Sequence, residues 1–133
     1  MTEDLPCIAL LRPSIVMNAF SMPNPPIGLG YLASYLEREG FKVYIIDLTV
    51  RRITEDTLAK FLMKKNPMLI GISALTAYYN GMRDLSHVIK KRMPRVPIAL
   101  GGVHVSMLPE VSLKECHADF VIEGEGEETL REL

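Results

Sequence analysis

The chain has 133 residues, of which 48% are hydrophobic and 23% charged, and its formal net charge is −1. This length suffices for one domain with its own core. The near-neutral charge argues against a nucleic-acid-binding surface, and the apolar content argues against disorder. No stretch approaches the roughly 20 apolar residues of a membrane span, and the acidic N-terminus lacks the pattern of a signal peptide. We therefore expect a compact cytoplasmic domain that contacts neither nucleic acid nor membrane.

The two cysteines, Cys7 and Cys116, lie far apart in the sequence. They form neither a metal-ligand spacing nor a disulfide framework. We expect two reduced, buried thiols, as is common in cytoplasmic proteins, and no metal site.

Five apolar runs alternate with segments of helical period along the chain. The runs are bounded by Pro or Gly and contain almost no polar positions, which is typical of strands buried on both faces. The predicted strands are Cys7–Leu11, Val43–Asp47, Met68–Ser73, Ile98–Leu100 and Asp119–Ile122.

Three helices are predicted from apolar residues at helical spacing between the first four strands. The first ends at Gly40, the second begins at a Thr54 cap, and the third ends in a basic stretch that complements the helix dipole. Their apolar positions are, in chain order, Leu29, Leu32, Ala33, Leu36, Leu58, Phe61, Leu62, Leu85, Val88 and Ile89. The alternation of strands and helices predicts an α/β fold. We expect a doubly wound, five-stranded parallel sheet of flavodoxin-like type with strand order 2-1-3-4-5.

Three short stretches follow the last three predicted strands, at 73–76, 101–104 and 123–127. The carboxyl ends of parallel strands meet at one edge of a sheet, which is where open α/β sheets bind ligands. The sequence therefore predicts a binding site at this edge. Its predicted cofactor-binding residues are Ser73, Leu75, Thr76, Gly101, Gly102, Val103, His104, Glu123, Gly124, Glu125 and Gly126.

Two parts of this predicted site have alternative explanations. Gly101 and Gly102 leave room for a close-lying ligand, because a Cβ there would collide with it, but a double glycine also marks an ordinary turn. The acidic stretch 123–127 offers backbone amides to a ligand, but acidic residues also stabilise the first turn of a helix.

Two other uses of this fold are disfavoured. Residues 28–33 match the dinucleotide-binding pattern G-x-G-x-x-A, and Asp47 lies where a ribose-binding acid belongs. However, the long segment 12–26 separates the first strand from Gly28, so the glycines are expected inside the first helix, where they permit close packing against the sheet or a flat ligand. A phosphate-accepting receiver is also disfavoured, since the first strand runs into Arg12 and Pro13 instead of an acidic residue.

The first strand-to-helix loop, 13–26, is unusually long for such a unit and carries Met17, Phe20 and Met22 among several prolines. An apolar loop of this kind suits the cover of a broad hydrophobic ligand. The alternative is that it docks on a neighbouring domain.

Residues 25–33 (PPIGLGYLA), Ser73-x-Leu75, and the stretch from Gly101-Gly102 through Pro109-Glu110 to Gly124–Glu127 carry a family resemblance. In this order they resemble the cobalamin-binding domain that precedes the catalytic barrel of cobalamin-dependent radical SAM enzymes. That family includes methyltransferases and the anaerobic magnesium-protoporphyrin monomethyl ester cyclase. The resemblance covers nearly the whole chain, so residues 1–133 are expected to form a cobalamin-binding domain. It implies that the Ser73 hydroxyl bonds the buried base of the cobalamin tail and that Leu75 packs beside it.

The chain departs from the family's patterns in two places. The motif Asp-x-His-x-x-Gly, whose histidine ligates cobalt, is missing, and no histidine occurs between Cys7 and Gly40. The resemblance then implies base-off cobalamin without a protein histidine ligand, and none of His87, His104 and His117 is expected to replace it. The radical SAM motif Cys-x-x-x-Cys-x-x-Cys is also missing.

We therefore expect the [4Fe-4S] cluster and S-adenosylmethionine to belong to a C-terminal radical SAM barrel of the same polypeptide, absent from this chain. The chain is not expected to be catalytic alone. Its expected role is to present cobalamin to that barrel for methyl transfer or related radical chemistry. The main alternative is a cobalamin-free interaction domain of a radical SAM protein, and a nucleotide-binding domain is the weaker one.

Overall fold

A computed structural model describes residues 5–13, 25–50 and 53–133 of the chain. Five strands form one sheet in the order β2-β1-β3-β4-β5, and every neighbouring pair is parallel. The strands are β1 (Cys7–Arg12), β2 (Lys42–Asp47), β3 (Leu69–Ser73), β4 (Ile98–Gly101) and β5 (Phe120–Val121). The predicted doubly wound, flavodoxin-like sheet is thus confirmed.

Helices connect the strands, and a single 3₁₀ turn, Thr76–Tyr78, precedes the third of them. The helices are α1 (Ile27–Arg38), α2 (Glu55–Lys65), α3 (Tyr79–Arg92), α4 (Val103–Met107), α5 (Pro109–Glu115) and α6 (Glu127–Glu132). The Thr54 side chain accepts a hydrogen bond from the Thr57 backbone N–H at 3.1 Å, which confirms the predicted cap of α2. Asn66 ends the same helix in the left-handed region, directly before Pro67.

The core lies on both faces of the sheet. On one face, α1 and α6 cover Ile8, Leu10, Leu69 and Ala99. On the other face, residues of α2, α3 and α4 cover the alternate positions of the same strands, including Leu11, Ile70, Ile72, Ile98 and Leu100. The central strands are apolar without alternation because both of their faces are buried.

The two edge strands differ from this pattern. Side chains of β2 are half-buried or exposed, with Ile45 40% exposed, and Phe120 of β5 is 38% exposed. The prediction that all five strands are buried on both faces is therefore wrong for β2 and β5. An edge strand has a neighbour on one side only, so helices that pack over the middle of the sheet cover it incompletely.

Cys7 and Cys116 are both free and buried, as predicted. Most of the predicted apolar cover, residues 14–24 of the loop 13–26, lies outside the described residues. Within 5–13, 25–50 and 53–133, no helix has the length and apolar character needed to cross a bilayer.

Candidate functional site

A cleft of about 700 Å³ opens at the carboxyl edge of the sheet and extends along the face that α1 and α6 cover. Its size lies within the range of small-molecule and cofactor sites. The walls are mostly apolar, with Leu29 and Leu32 from α1 on one side and Ile122 and Leu130 on the other. The cleft therefore suits a ligand that buries an apolar, elongated part against the sheet.

Two small residues and a leucine form the floor of the cleft. Leu10, Gly71 and Ala99 pair across β1, β3 and β4 and all three line the cleft. A Cβ built on Gly71 would come within 2.9 Å of a methyl group of Leu10. The missing side chain of Gly71 therefore makes room for the Leu10 side chain, which covers this part of β3.

The mouth of the cleft lies two residues further toward the carboxyl ends of β3 and β4. Ser73 of β3 pairs with Gly101 of β4, and both line the cleft. The half-buried Ser73 hydroxyl makes no hydrogen bond to any described residue, so it can donate to a ligand or accept from one. The Ser73 hydroxyl, beside the open position at Gly101, is thus a polar group available to a ligand at the mouth of a mostly apolar cleft.

The two adjacent glycines differ in what a side chain would meet. A Cβ on Gly101 meets no described atom within 4 Å, so the open space beside it belongs to the cleft. Gly102 has φ +103°, and a Cβ there would lie 2.5 Å from the carbonyl oxygen of Ala74. Gly102 also lines the cleft, but the chain's own backbone at Ala74 already requires its missing side chain. That Gly102 makes room for a ligand as well stays a prediction.

The loop after β5 forms the opposite rim of the mouth. Gly124, Glu125, Gly126 and Glu127 line the cleft, whereas Glu123 does not. The Gly124 backbone N–H donates to the Ser106 hydroxyl at 3.0 Å, which ties this loop to α4. Glu127 also begins α6, so the acidic stretch both contributes to the cleft and supplies a helix's first turn.

The remaining predicted residues, Leu75, Thr76, Val103 and His104, lie next to the mouth but do not line the cleft. The His104 ring packs on the Tyr79 ring with centroids 4.1 Å apart, and its Nδ1 lies 3.3 Å from the Thr76 hydroxyl. Tyr79 in turn donates a hydrogen bond to the Glu115 carboxylate. Burial and the adjacent Glu115 raise the pKa of Tyr79, so this phenol stays a neutral donor.

The other two histidines lie together, with rings stacked at 4.5 Å, and His87 Nε2 lies 2.7 Å from the Glu115 carbonyl oxygen. Neither His87 nor His117 lines the cleft. Among the residues that the structure describes, no group of three or more His, Cys, Asp or Glu side chains is arranged to hold a metal ion.

Sequence reasoning missed one wall of the cleft. Gly28, Tyr31, Leu32, Tyr35 and Arg38 of α1 all line it. The first four follow the spacing i, i+3, i+4, i+7, which places them on one side of a helix. This spacing could have shown from the sequence that these four residues share one face of α1.

The structure also bears on the dinucleotide alternative. Gly28 and Gly30 lie inside α1, away from the end of β1 where the fingerprint requires its first glycine. Arg12 Nε donates to Asp47 Oδ1 at 3.0 Å and Arg12 Nη2 donates to Oδ2 at 2.7 Å. The carboxylate that would bind a ribose is thus already engaged by Arg12.

Fold and cleft together define a class: a ligand-binding domain built on an open parallel sheet, with its site at the carboxyl edge. Residues 13–133 match the family model described as the B12 binding domain, and the chain belongs to that family. The family resemblance predicted from the sequence is thereby confirmed.

Relatives of this chain are longer proteins. An uncharacterised methyltransferase of Pyrococcus horikoshii is 36% identical over 90% of this chain and 26% of its own length. An anaerobic magnesium-protoporphyrin IX monomethyl ester cyclase of Rubrivivax gelatinosus is 31% identical over 82% of the chain and 20% of its own length. The solved structure of the cobalamin-dependent S-adenosylmethionine radical enzyme OxsB with aqua-cobalamin bound matches 97% of the chain, with TM-score 0.82 and 27% identity, over 18% of OxsB. The chain thus spans 18–26% of these proteins.

Proposed function

We propose that this chain binds cobalamin in the cleft between α1 and α6. The observation that carries the proposal is the open position at Gly101 beside the Ser73 hydroxyl, which bonds none of the described residues, at the edge of a B12-family sheet. In this arrangement the cobalamin tail enters the cleft and the corrin ring remains at the mouth.

The residues present fit such a tail. Ser73 bonds the base nitrogen, which a buried ligand needs because an unpaired polar atom costs about 1–3 kcal/mol. Gly101 leaves room for a flat base, and the apolar residues of the walls exclude water from it. When bound, the corrinoid supplies a cobalt centre that carries methyl groups or electrons.

The tail bound in this way is separated from the cobalt, so the cofactor is held base-off. No histidine lies between Cys7 and Gly40, and His104 packs on Tyr79 outside the cleft lining. The proposed site therefore provides no imidazole for the lower face of the metal.

For the whole protein we propose that residues 1–133 present the corrinoid to a C-terminal radical SAM barrel with its own [4Fe-4S] cluster and S-adenosylmethionine. This is supported by the longer relatives, which include a methyltransferase and a radical S-adenosylmethionine enzyme. A cytoplasmic location is part of the same proposal.

Titration of the chain with hydroxocobalamin, followed by visible absorption, tests the binding. We expect saturable spectral changes and retention of cobalamin in equilibrium dialysis. No retention at millimolar cobalamin would contradict the proposal.

The second candidate function is a cobalamin-free interaction domain. Its support is the apolar surface beside the mouth, where Leu75 and Val103 are each 56% exposed and Met107 is 71% exposed. Failure to bind any corrinoid, with the fold intact, favours this candidate.

A further inference from the structure

Two glycines in the first turns of α1, Gly28 and Gly30, have no explanation in the local structure. Neither has a positive φ, and a Cβ on either would meet no atom of the described residues within 4 Å. Glycine is less favourable than alanine in a helix because its backbone loses more freedom on folding. Folding of this helix alone would therefore favour alanine at both positions.

The two glycines face different surroundings. Residues two apart lie about 200° around a helix, on nearly opposite sides. Gly28 lines the cleft, in the stripe that continues through Tyr31, Leu32 and Tyr35, whereas Gly30 does not line it. Gly28 is exposed, and the open space beside it is continuous with the cleft, whereas Gly30 lies outside the cleft lining.

Gly28 also lies where a ligand enters. It belongs to the first turn of α1, which begins at the carboxyl edge of the sheet, and Gly101, Gly124 and Gly126 line the same cleft. A rigid helix backbone cannot withdraw from a ligand as a flexible side chain does. A methyl group added there would have to be accommodated by movement of the ligand.

We propose that Gly28 is a specificity-determining residue, whose missing side chain lets the nucleotide tail of a corrinoid lie against the backbone of α1. This inference rests on the proposed function, since it concerns the same cleft. The part of the ligand that contacts this helix is then the nucleotide tail and not the corrin ring.

The test compares Gly28→Ala with the matched control Gly30→Ala in the 133-residue chain. Without ligand, both variants are expected to raise the melting temperature by about 2–4 °C, because alanine favours the helix. In equilibrium dialysis, Gly28→Ala is expected to weaken cobalamin binding about ten- to hundredfold, and Gly30→Ala to leave it within about twofold. An increase in stability combined with a loss of affinity separates a ligand role from a structural one.

Cobinamide, which has the corrin ring without the nucleotide tail, identifies the contacting part. We expect Gly28→Ala to bind cobinamide as the wild type does. An equal loss of affinity for cobinamide in Gly28→Ala overturns the assignment to the tail. A melting temperature below that of the wild type in Gly28→Ala also overturns the proposal, because it shows that the position faces the chain itself. Wild-type chain that retains no cobalamin contradicts the proposed function and this inference with it, whereas unchanged affinity in Gly28→Ala overturns this inference alone.

Discussion

At the residue scale, the adjacent glycines at the end of β4 are separable by mutation. Gly101→Val adds a side chain at a position that lines the cleft, where a Cβ meets no described atom within 4 Å. We expect its circular dichroism to match the wild type and its affinity for cobalamin to fall at least about tenfold. Unchanged affinity in the absorption titration would remove Gly101 from the site.

Gly102→Ala is the companion variant. Gly102 has a positive φ, and an added Cβ would collide with the Ala74 carbonyl oxygen. We therefore expect any side chain there to lower the free energy of unfolding by about 1–3 kcal/mol. We expect urea denaturation to show this loss. A stability equal to that of the wild type would mean that the turn relaxes around the new methyl group.

Ser112 is a buried serine whose hydroxyl has no hydrogen-bond partner among the described residues. Ser112→Ala removes the unpaired polar atom and is expected to raise the free energy of unfolding by about 1 kcal/mol. The control is Ser86→Ala, because the equally buried Ser86 hydroxyl donates to the Cys116 carbonyl at 2.6 Å. We expect the control to lower stability by about 1 kcal/mol, and the same sign in both variants would contradict the interpretation.

The proposed cobalamin site gives a spectroscopic prediction, since none of its residues would offer the cobalt an imidazole. Because His104 packs on Tyr79, electron paramagnetic resonance of the bound cob(II)alamin form is expected to show no nitrogen superhyperfine splitting. His104→Ala is expected to leave the spectrum unchanged. Splitting that disappears in His104→Ala would identify this histidine as a cobalt ligand.

At the element scale, an ion pair joins the ends of β1 and β2. Arg12 holds Asp47 with two hydrogen bonds, and the Thr49 backbone N–H donates to the same carboxylate at 3.0 Å. Burial raises the pKa of Asp47, but the hydrogen bonds from Thr49 and Arg12 outweigh it, so the pKa lies below its ordinary value. The folded state therefore favours the charged carboxylate.

This depressed pKa makes stability depend on pH in a defined direction. The contribution of Asp47 is fully present above its unfolded pKa of about 3.9 and is lost as pH falls through the lower folded value. We expect Asp47→Asn to be less stable at pH 7 and to lose less stability between about pH 5 and 2, measured by urea unfolding. A slope in Asp47→Asn equal to that of the wild type would contradict the assignment.

At the scale of the whole molecule, the cleft joins elements that are distant in sequence. Its lining comes from α1, the three central strands, the loop after β5 and α6. A ligand bound there stabilises all of them together, because it binds the folded chain and not the unfolded one.

Cobalamin at about one hundred times its dissociation constant is therefore expected to raise the melting temperature on the order of 10 °C. Gly101→Val should show a much smaller shift at the same concentration. No shift in the wild type, measured by differential scanning fluorimetry, would favour the interaction-domain alternative.

The sequence alone determined the sheet and the edge at which the cleft opens. Long apolar runs without alternation mark parallel strands, and the carboxyl ends of parallel strands must meet at one edge. Ser73, Gly101 and Gly124 were therefore predicted next to one another before any contact was known, and all three line the cleft.

Only the tertiary structure decided which residues around that edge face the cleft. The apolar run in β2 resembles that in β1, yet its position at the edge of the sheet leaves Ile45 exposed. Gly101 and Gly102 are the same residue type and both line the cleft, but only at Gly102 would an added Cβ collide with the backbone of Ala74. Burial and side-chain direction depend on how distant elements pack, and this is information that local patterns of a single sequence do not contain.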